Sequence, residues 1–220
     1  MAQLKIVLGN KNYSSWSLRP WLALEQCGVP YEEQVIALDQ PDSAAQIARF
    51  SPSGRVPALL DSDLTIWDSL AICEYLNEKF PAAQLWPKDP KARAVARSVS
   101  AEMHSGFLAG LRTHCPMKIK ESLPMAEPRP EVLADLKRIE EMWAGARQRF
   151  GAGGPFLFGA FTIADAMFAP VVTRIRTYAL PVSPETKAYC AAVWALPAMQ
   201  KWVAAARAEN FVMARYQPKK

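Results

Sequence analysis

The chain has 220 residues, of which 50% are hydrophobic and 21% are charged, and its formal net charge is +5. This share of apolar residues excludes an intrinsically disordered chain, and the length allows one large domain or two small ones. The first residues lack the charged start, apolar stretch and cleavage site of a signal peptide, and no apolar run reaches the ~18 residues of a membrane span. We therefore expect a cytoplasmic protein that does not bind a membrane.

The cysteines and the basic residues are dispersed along the chain. No two of the four cysteines form a CxxC pair, and only two histidines accompany them. We therefore expect free thiols in a reducing compartment and no metal site. The 26 lysines and arginines form no basic stripe, so we expect no nucleic-acid partner.

The first 80 residues alternate between strand and helix patterns. Residues 4–8 predict a strand that ends at Gly9, and helical spacing runs from near Trp16 to Cys27. Because proline lacks an N–H, Pro20 is best tolerated near the first turn, which puts the helix start close to Ser14 and Ser15. Strands are predicted at residues 31–38, 55–60 and 64–67, a short helix at 41–50, and a helix that opens at Asp68.

The remaining chain carries only helical patterns. Three prolines within residues 80–90 mark a connector. Helices are predicted at residues 92–120, 132–150, 162–180, 185–194 and 197–207. The helix at 162–180 is apolar nearly throughout and should be buried, with Thr162 and Asp165 forming a capping box at its start. The prediction is an α/β domain of order β-α-β-α-β-β-α at residues 1–80, a linker at 81–90, and an all-helical domain at 91–220.

These elements and motifs together resemble the cytosolic glutathione transferase superfamily over nearly the whole chain. The first half is similar to its thioredoxin-like domain, and residues 85–90 resemble its linker. Ser14-Ser15-Trp16-Ser17 is similar to the motif of the serine-type zeta class, which includes maleylacetoacetate isomerases, with Trp16 where that motif has cysteine. The resemblance implies glutathione as co-substrate, no other cofactor, and a homodimer.

The residues at the first strand-to-helix junction suit activation of a thiol. A free thiol has a pKa of about 8.5, and the thiolate is the nucleophile. A hydroxyl that donates to sulfur, placed at the positive end of a helix, stabilises the thiolate. Ser14 is the first candidate for this donor, Ser15 the second and Tyr13 the third. Helix capping is the competing role for the serines.

The resemblance also implies how glutathione is held. Ser69 would bind the γ-glutamyl carboxylate and Asp68 the γ-glutamyl amino group. Val56, before a cis Pro57, would pair its backbone with the cysteinyl part of the tripeptide. Arg55 would meet the glycyl carboxylate.

A second, apolar pocket should lie against the helical half. Its predicted lining is Trp16, Met103, His104, Phe107 and Leu111, with packing in the core as the competing role. Zeta-class enzymes carry an arginine that meets a substrate carboxylate, and Arg176 is the nearer match, with Arg174 close by.

The leading prediction is an enzyme that ionises glutathione and adds it to a hydrophobic electrophile. Three alternatives stay open: glutathione-dependent isomerisation of a dicarboxylate, thiol–disulfide exchange with glutathione as the thiol, and a non-catalytic binding protein with the same fold.

Overall fold

The structure is a computed structural model that describes residues 4–216. A four-stranded sheet occupies the first third of the chain, and helices make up the rest. The strands are β1 (Leu4–Gly9), β2 (Tyr31–Ile36), β3 (Ala58–Asp61) and β4 (Leu64–Trp67). The α-helices of the described residues are α1 (Ser15–Cys27), α2 (Ser43–Ala48), α3 (Ser69–Lys79), α4 (Pro90–Ser105), α5 (Pro130–Phe150), α6 (Ile163–Tyr178), α7 (Pro184–Ala195) and α8 (Pro197–Ala208).

The sheet is mixed, with the strand order β2-β1-β3-β4. β1 pairs in parallel with β2, which requires a crossover, and α1 supplies it. β3 runs antiparallel to β1 and to β4. The predicted β-α-β-α-β-β-α order is confirmed, and the end of β1 lies beside the start of β3.

β3 starts later than the sequence predicted. The Val56–Pro57 peptide bond is cis, as the resemblance implied, and the strand begins at Ala58 instead of Arg55. Pro57 has no N–H to give to a strand ladder, so regular pairing starts only after it. Pro20 likewise lies deeper in α1 than predicted, in the second turn of the helix.

The single long helix predicted for residues 92–120 is wrong. α4 ends at Ser105, and Phe107 adopts φ 63°, a left-handed conformation through which a right-handed helix does not continue. A short π-helical turn follows at Leu108–Arg112. High alanine content predicted a continuous helix, but the break bends the chain back so that Arg112 donates to the His104 carbonyl at 2.7 Å.

α6 is the central helix of the second half, and Arg176 is its only residue that is not buried. The predicted capping box is present. The buried Asp165 carboxylate accepts from the Thr162 N–H at 2.8 Å and the Leu157 N–H at 3.1 Å. It also accepts from the Tyr189 hydroxyl at 3.1 Å, so this carboxylate ties the start of α6 to its neighbours.

One hydrophobic core runs through both halves of the chain. It includes Ile6 of β1, Leu22 of α1, Phe168 of α6 and Trp202 of α8. α1 packs against α3 on one side and against α6 on the other. Within residues 4–216, no helix combines the length and hydropathy needed to cross a membrane.

Candidate active site

The loop between β1 and α1 is buried along its whole length, from Asn10 to Ser14. The N–H groups of Tyr13 and Ser14 both donate to the Asn10 carbonyl, at 3.1 and 2.8 Å. This tight turn delivers Ser14 to the N-cap of α1 and places Ser15 at the first helical position.

Ser14 and Ser17 form a buried pair of hydroxyls. Ser14 Oγ accepts from the Ser17 N–H at 3.2 Å, so Ser14 caps α1. The Ser14 hydroxyl also donates to Ser17 Oγ at 2.8 Å, and Ser17 Oγ accepts from the Gly9 N–H at 3.0 Å. The half-buried Ser15 hydroxyl makes no hydrogen bond to any part of residues 4–216.

Asp68 and Ser69 begin α3, as the sequence predicted. Asp68 adopts φ 74°, which is uncommon for a residue other than glycine. Its carboxylate accepts from the Leu70 N–H at 2.9 Å. The Ser69 hydroxyl is buried and has no hydrogen-bond partner within the described residues. An unpaired hydroxyl at a helix N-terminus is a donor available to an anion.

These residues line a cleft of 490 Å³, here named the polar cleft. Its side chains come from both halves of the chain, and no hydrogen bond to the Val56 backbone is present among residues 4–216. Arg55 is exposed at its rim. The lining residues are Trp16, Ser53, Arg55, Val56, Pro57, Trp67, Asp68, Ser69 and His104.

A second pocket of 280 Å³, here named the arginine pocket, lies at the serine junction. It combines apolar side chains with two arginines and contains no acidic residue among its lining. The lining residues are Tyr13, Ser14, Ser15, Trp16, Leu38, Leu108, Arg112, Pro116, Met117, Arg174, Met213 and Tyr216. Trp16 lines both cavities, so its ring is the wall that they share.

Two guanidinium groups stack on Trp16. The Arg19 Cζ lies 4.5 Å from a Trp16 ring centroid, and the Arg112 Cζ lies 4.8 Å away. The His104 ring meets Trp16 edge-on at 5.2 Å. These contacts hold the Trp16 indole beside two cations and favour one orientation of the ring.

Of the arginines around Trp16, Arg19 and Arg174 are buried and Arg112 is half-buried. Burial, and then the charges of neighbouring arginines, lower the pKa of Arg19 to about 9 and that of Arg174 to about 10. Arg174 donates to the backbone carbonyls of Cys115 at 2.8 Å and Pro170 at 3.1 Å. No ion pair with Asp or Glu reaches Arg19, Arg112 or Arg174 within the described residues. The charge of Asp135 acts to raise the pKa of Arg112. The buried Arg19 and Arg174, which form no ion pair in the described chain, favour an anion in the adjoining pocket.

His104 contributes a neutral ring to the polar cleft. Burial is the largest cause that lowers the pKa of His104, and Arg19 and Arg112 add to it, while Asp68 acts in the opposite direction. Its Nδ1 is buried without a partner among the described residues. His104 therefore lines the cleft predicted for glutathione and not the pocket at the serine junction, which corrects its predicted place in the electrophile pocket.

The structure does not bring Arg176 to either cavity, which corrects the sequence prediction. Its guanidinium lies 4.5 Å from the Trp194 ring centroid, in a separate groove beside α7. Two helical positions differ by about 200° around the axis, so Arg174 and Arg176 point to opposite faces of α6. Arg174 faces the serine junction, and Arg176 does not.

Three other predicted pocket residues line neither cavity. Met103 and Leu111 are buried in the core, and Phe107 packs against it. Helical spacing marked these positions as apolar but does not distinguish a core face from a pocket face.

Sequence reasoning missed Ser17, Arg19 and Arg112. An arginine within the otherwise apolar face of α1 was a signal for Arg19, because a charged side chain is rarely fully buried without a role. Arg112 gave no such signal, since nothing in the predicted continuous helix marked it as part of a site.

Two family models match this chain. The glutathione S-transferase N-terminal domain matches residues 13–79, and the glutathione S-transferase C-terminal domain matches residues 126–205. Together they include α1, β2, α2, β3, β4 and α3 from the first half, and α5, α6 and α7 from the second.

Known proteins align with most of the chain. A probable maleylacetoacetate isomerase from Caenorhabditis elegans is 29% identical over 84% of this chain and 85% of its own length. Maleylacetoacetate isomerase from Rattus norvegicus is 30% identical over 77% of each chain. The crystal structure of a glutathione transferase homolog from Burkholderia, with bound glutathione, superposes with a TM-score of 0.69 at 26% identity, covering 94% of this chain and 100% of the other.

Proposed function

The chain belongs to the cytosolic glutathione transferase superfamily, and from this premise we propose that it ionises the thiol of glutathione and transfers it to an electrophilic carbon. The observation that carries the proposal is the polar cleft. It combines a buried Ser69 hydroxyl and a Val56 backbone that have no hydrogen-bond partner within residues 4–216, and Trp16 links it to the serine junction.

In this proposal the polar cleft holds glutathione along its length. Ser69 and the first N–H groups of α3 bind the γ-glutamyl carboxylate, and Asp68 binds the γ-glutamyl ammonium group. The Val56 backbone pairs with the cysteinyl residue as a short added strand. Arg55, at the rim, meets the glycyl carboxylate. This arrangement directs the thiol toward α1.

The Ser14–Ser17 pair suits thiol activation without movement of either oxygen. If Ser17 donates to Ser14 Oγ, the Ser14 proton is released to point at the sulfur, and the two bonds reinforce each other. One hydrogen bond to a charged sulfur stabilises it by about 1.5–3 kcal/mol, and the helix N-terminus adds about 0.3–1 kcal/mol. Together they correspond to roughly 1 to 3 pKa units, which lowers the thiol pKa from about 8.5 to roughly 6–7. Ser15, whose hydroxyl has no partner in the described chain, is the alternative donor.

The arginine pocket is then the place for the electrophile. The thiolate sulfur attacks carbon, a C–S bond forms, and a leaving group such as halide departs with the bonding electron pair. For an activated alkene, the sulfur adds to one carbon and a proton to the other. Leu38, Leu108 and Met117 supply the apolar lining that a hydrophobic electrophile requires.

The arginines favour a second candidate, glutathione-dependent isomerisation of a dicarboxylate. Arg112 and Arg174 line the pocket, and neither forms an ion pair within the described residues. Carboxylates of a ligand would compensate their charge. The thiolate adds to a carbon–carbon double bond, the resulting single bond rotates, and elimination returns the thiolate and the isomerised alkene. Two aligned relatives bear the name maleylacetoacetate isomerase.

We also propose a cytoplasmic homodimer. Leu64 and Trp67 are about half exposed on β4, an edge strand that a second copy would cover. All four cysteines are free thiols, which suits a reducing compartment. Sedimentation of the wild-type protein and of Trp67→Ser would test this: a dimer that Trp67→Ser weakens is expected, and a wild-type monomer contradicts it.

The central experiment is a titration with glutathione, followed by heat and by ultraviolet thiolate absorbance, for the wild type, Ser14→Ala and Ser15→Ala. We expect saturable binding by all three proteins and loss of the thiolate signal in Ser14→Ala. Loss in Ser15→Ala alone reassigns the donor to Ser15. Absence of wild-type binding at millimolar glutathione contradicts the enzyme and favours a binding protein without this chemistry.

A further inference from the structure

We propose that Glu209, just after α8, is a positioning residue that holds the Asn10–Ser14 loop in its active shape. The proposal rests on the proposed function, because it takes the serines at the end of this loop to be the thiol donors. The role of Glu209 goes beyond the proposed function, because it makes thiol activation depend on a residue far along the sequence.

The Glu209 carboxylate binds two consecutive backbone amides of the loop. Its Oε1 accepts from the Lys11 N–H at 2.6 Å, and its Oε2 accepts from the Asn12 N–H at 3.1 Å. Neither amide has another acceptor within the described residues. The Asn10 carbonyl of the same turn accepts from Tyr13 and Ser14 instead.

Three further hydrogen bonds from the second half reach the Lys11 carbonyl and Asn12. The Trp202 indole N–H donates to the Lys11 carbonyl at 2.9 Å. The backbone N–H of Lys120 donates to Asn12 Oδ1 at 2.9 Å, and that of Ile119 donates to the Asn12 carbonyl at 3.3 Å. Glu209 is the one acidic side chain in this set, and it satisfies two buried donors at once.

A positioning role and an electrostatic role of Glu209 predict opposite changes in the thiol pKa when Glu209 is replaced. A carboxylate near the thiol disfavours the thiolate, so loss of its charge alone would lower the thiol pKa. Loss of positioning lets the loop relax, moves Ser14 away from the sulfur, and raises the thiol pKa. The direction of the change therefore identifies the role.

The experiment compares Glu209→Ala, Glu209→Gln and a control, Lys201→Ala. Lys201 on α8 also bridges the two halves, through an ion pair with Glu25 at 2.6 Å, but does not touch the loop. The measurements are the pKa of enzyme-bound glutathione, from ultraviolet absorbance against pH, and kcat and KM with chlorodinitrobenzene. Thermal unfolding shows that each variant is folded.

For Glu209→Ala we expect a raised thiol pKa and a kcat about 10-fold or more below wild type, with a smaller change in the KM for glutathione. Glu209→Gln keeps one acceptor oxygen and should fold in any case. Its thiol pKa and kcat should lie between those of the wild type and Glu209→Ala. Lys201→Ala should match wild type. An unchanged or lowered thiol pKa in the Glu209 variants overturns the positioning role and leaves the proposed function intact. Failure of the wild type itself to bind glutathione overturns both.

Discussion

The His104 Nε2 lies 3.3 Å from the Asp68 carboxylate, so a side chain from α4 meets the residue that caps α3. The contact joins the helical half to the start of the helix that is proposed to hold the γ-glutamyl group. It also means that the charge of His104 controls how much of the Asp68 carboxylate is left for a ligand.

Glutathione binding should therefore weaken at acidic pH through His104. The pKa of His104 is lowered, chiefly by burial, so the ring is neutral above the ordinary histidine value of about 6.5 and protonates only below it. A protonated ring pairs with Asp68 and competes with the glutathione ammonium group. Calorimetry across this range should show affinity falling as pH falls in the wild type. The trend should be much reduced in His104→Asn, and an identical trend in both proteins contradicts this role.

Ser69→Ala should separate stability from binding. The buried Ser69 hydroxyl has no partner in the described chain, so its removal should leave the free energy of unfolding unchanged or raise it by up to about 1 kcal/mol. Loss of a hydrogen bond to a carboxylate should weaken glutathione binding by about 1.5–3 kcal/mol. Denaturant unfolding and calorimetry measure the two effects. A destabilised variant with normal glutathione affinity would show that Ser69 serves only the fold.

Arg174→Met and Arg176→Met form a matched pair on opposite faces of α6. Arg174→Met should lower kcat/KM about 10- to 100-fold for an electrophile that bears a carboxylate, since a charge-assisted hydrogen bond is lost. Its kcat/KM for a neutral aryl halide should change little, and Arg176→Met should change neither. Equal losses on both substrates in Arg174→Met would assign that arginine to packing instead of substrate recognition.

Asp165 should make stability depend on pH in an unusual direction. Burial raises its pKa to about 6, against the hydrogen bonds that it accepts. The pKa of Asp165 is higher in the folded protein than in the unfolded chain. Its contribution to the free energy of unfolding is therefore fully present below the unfolded-state pKa and is lost as pH rises through about 6. Relative to Asp165→Asn, the free energy of unfolding of the wild type should fall by up to about 3 kcal/mol between about pH 4 and pH 7. Urea unfolding at several pH values measures this difference, and a constant difference contradicts it.

The order of the elements was predictable because each one carries a local signal. The apolar run before Gly9 and the Thr162–Asp165 capping box each specify their own geometry within a few residues, whereas the cis Val56–Pro57 bond was expected from the resemblance. The break after Ser105 was not predictable in this way. It depends on a left-handed Phe107 and on the return of Arg112 to the end of α4, which are properties of the packed chain.

Part of the candidate site was predictable because it coincides with element boundaries. Ser14, Ser15, Asp68 and Ser69 begin helices, so the sequence itself marked them. Arg174 and Arg176 show the opposite case, because a motif offset of one or two positions changes which helix face a side chain occupies. Glu209 carried no signal at all, since nothing local marks a carboxylate that binds a loop almost 200 residues away.

The shared core has a consequence for how the protein can be divided. Leu22 of α1 and Phe168 of α6 belong to one hydrophobic cluster, so a fragment cut at the connector would expose the apolar surface that α1 buries against α6. Such fragments are expected to aggregate when expressed singly, and to recover solubility only when co-expressed. In evolutionary terms, neither half can be exchanged with a relative's unless the contact surface of α1 is exchanged with it.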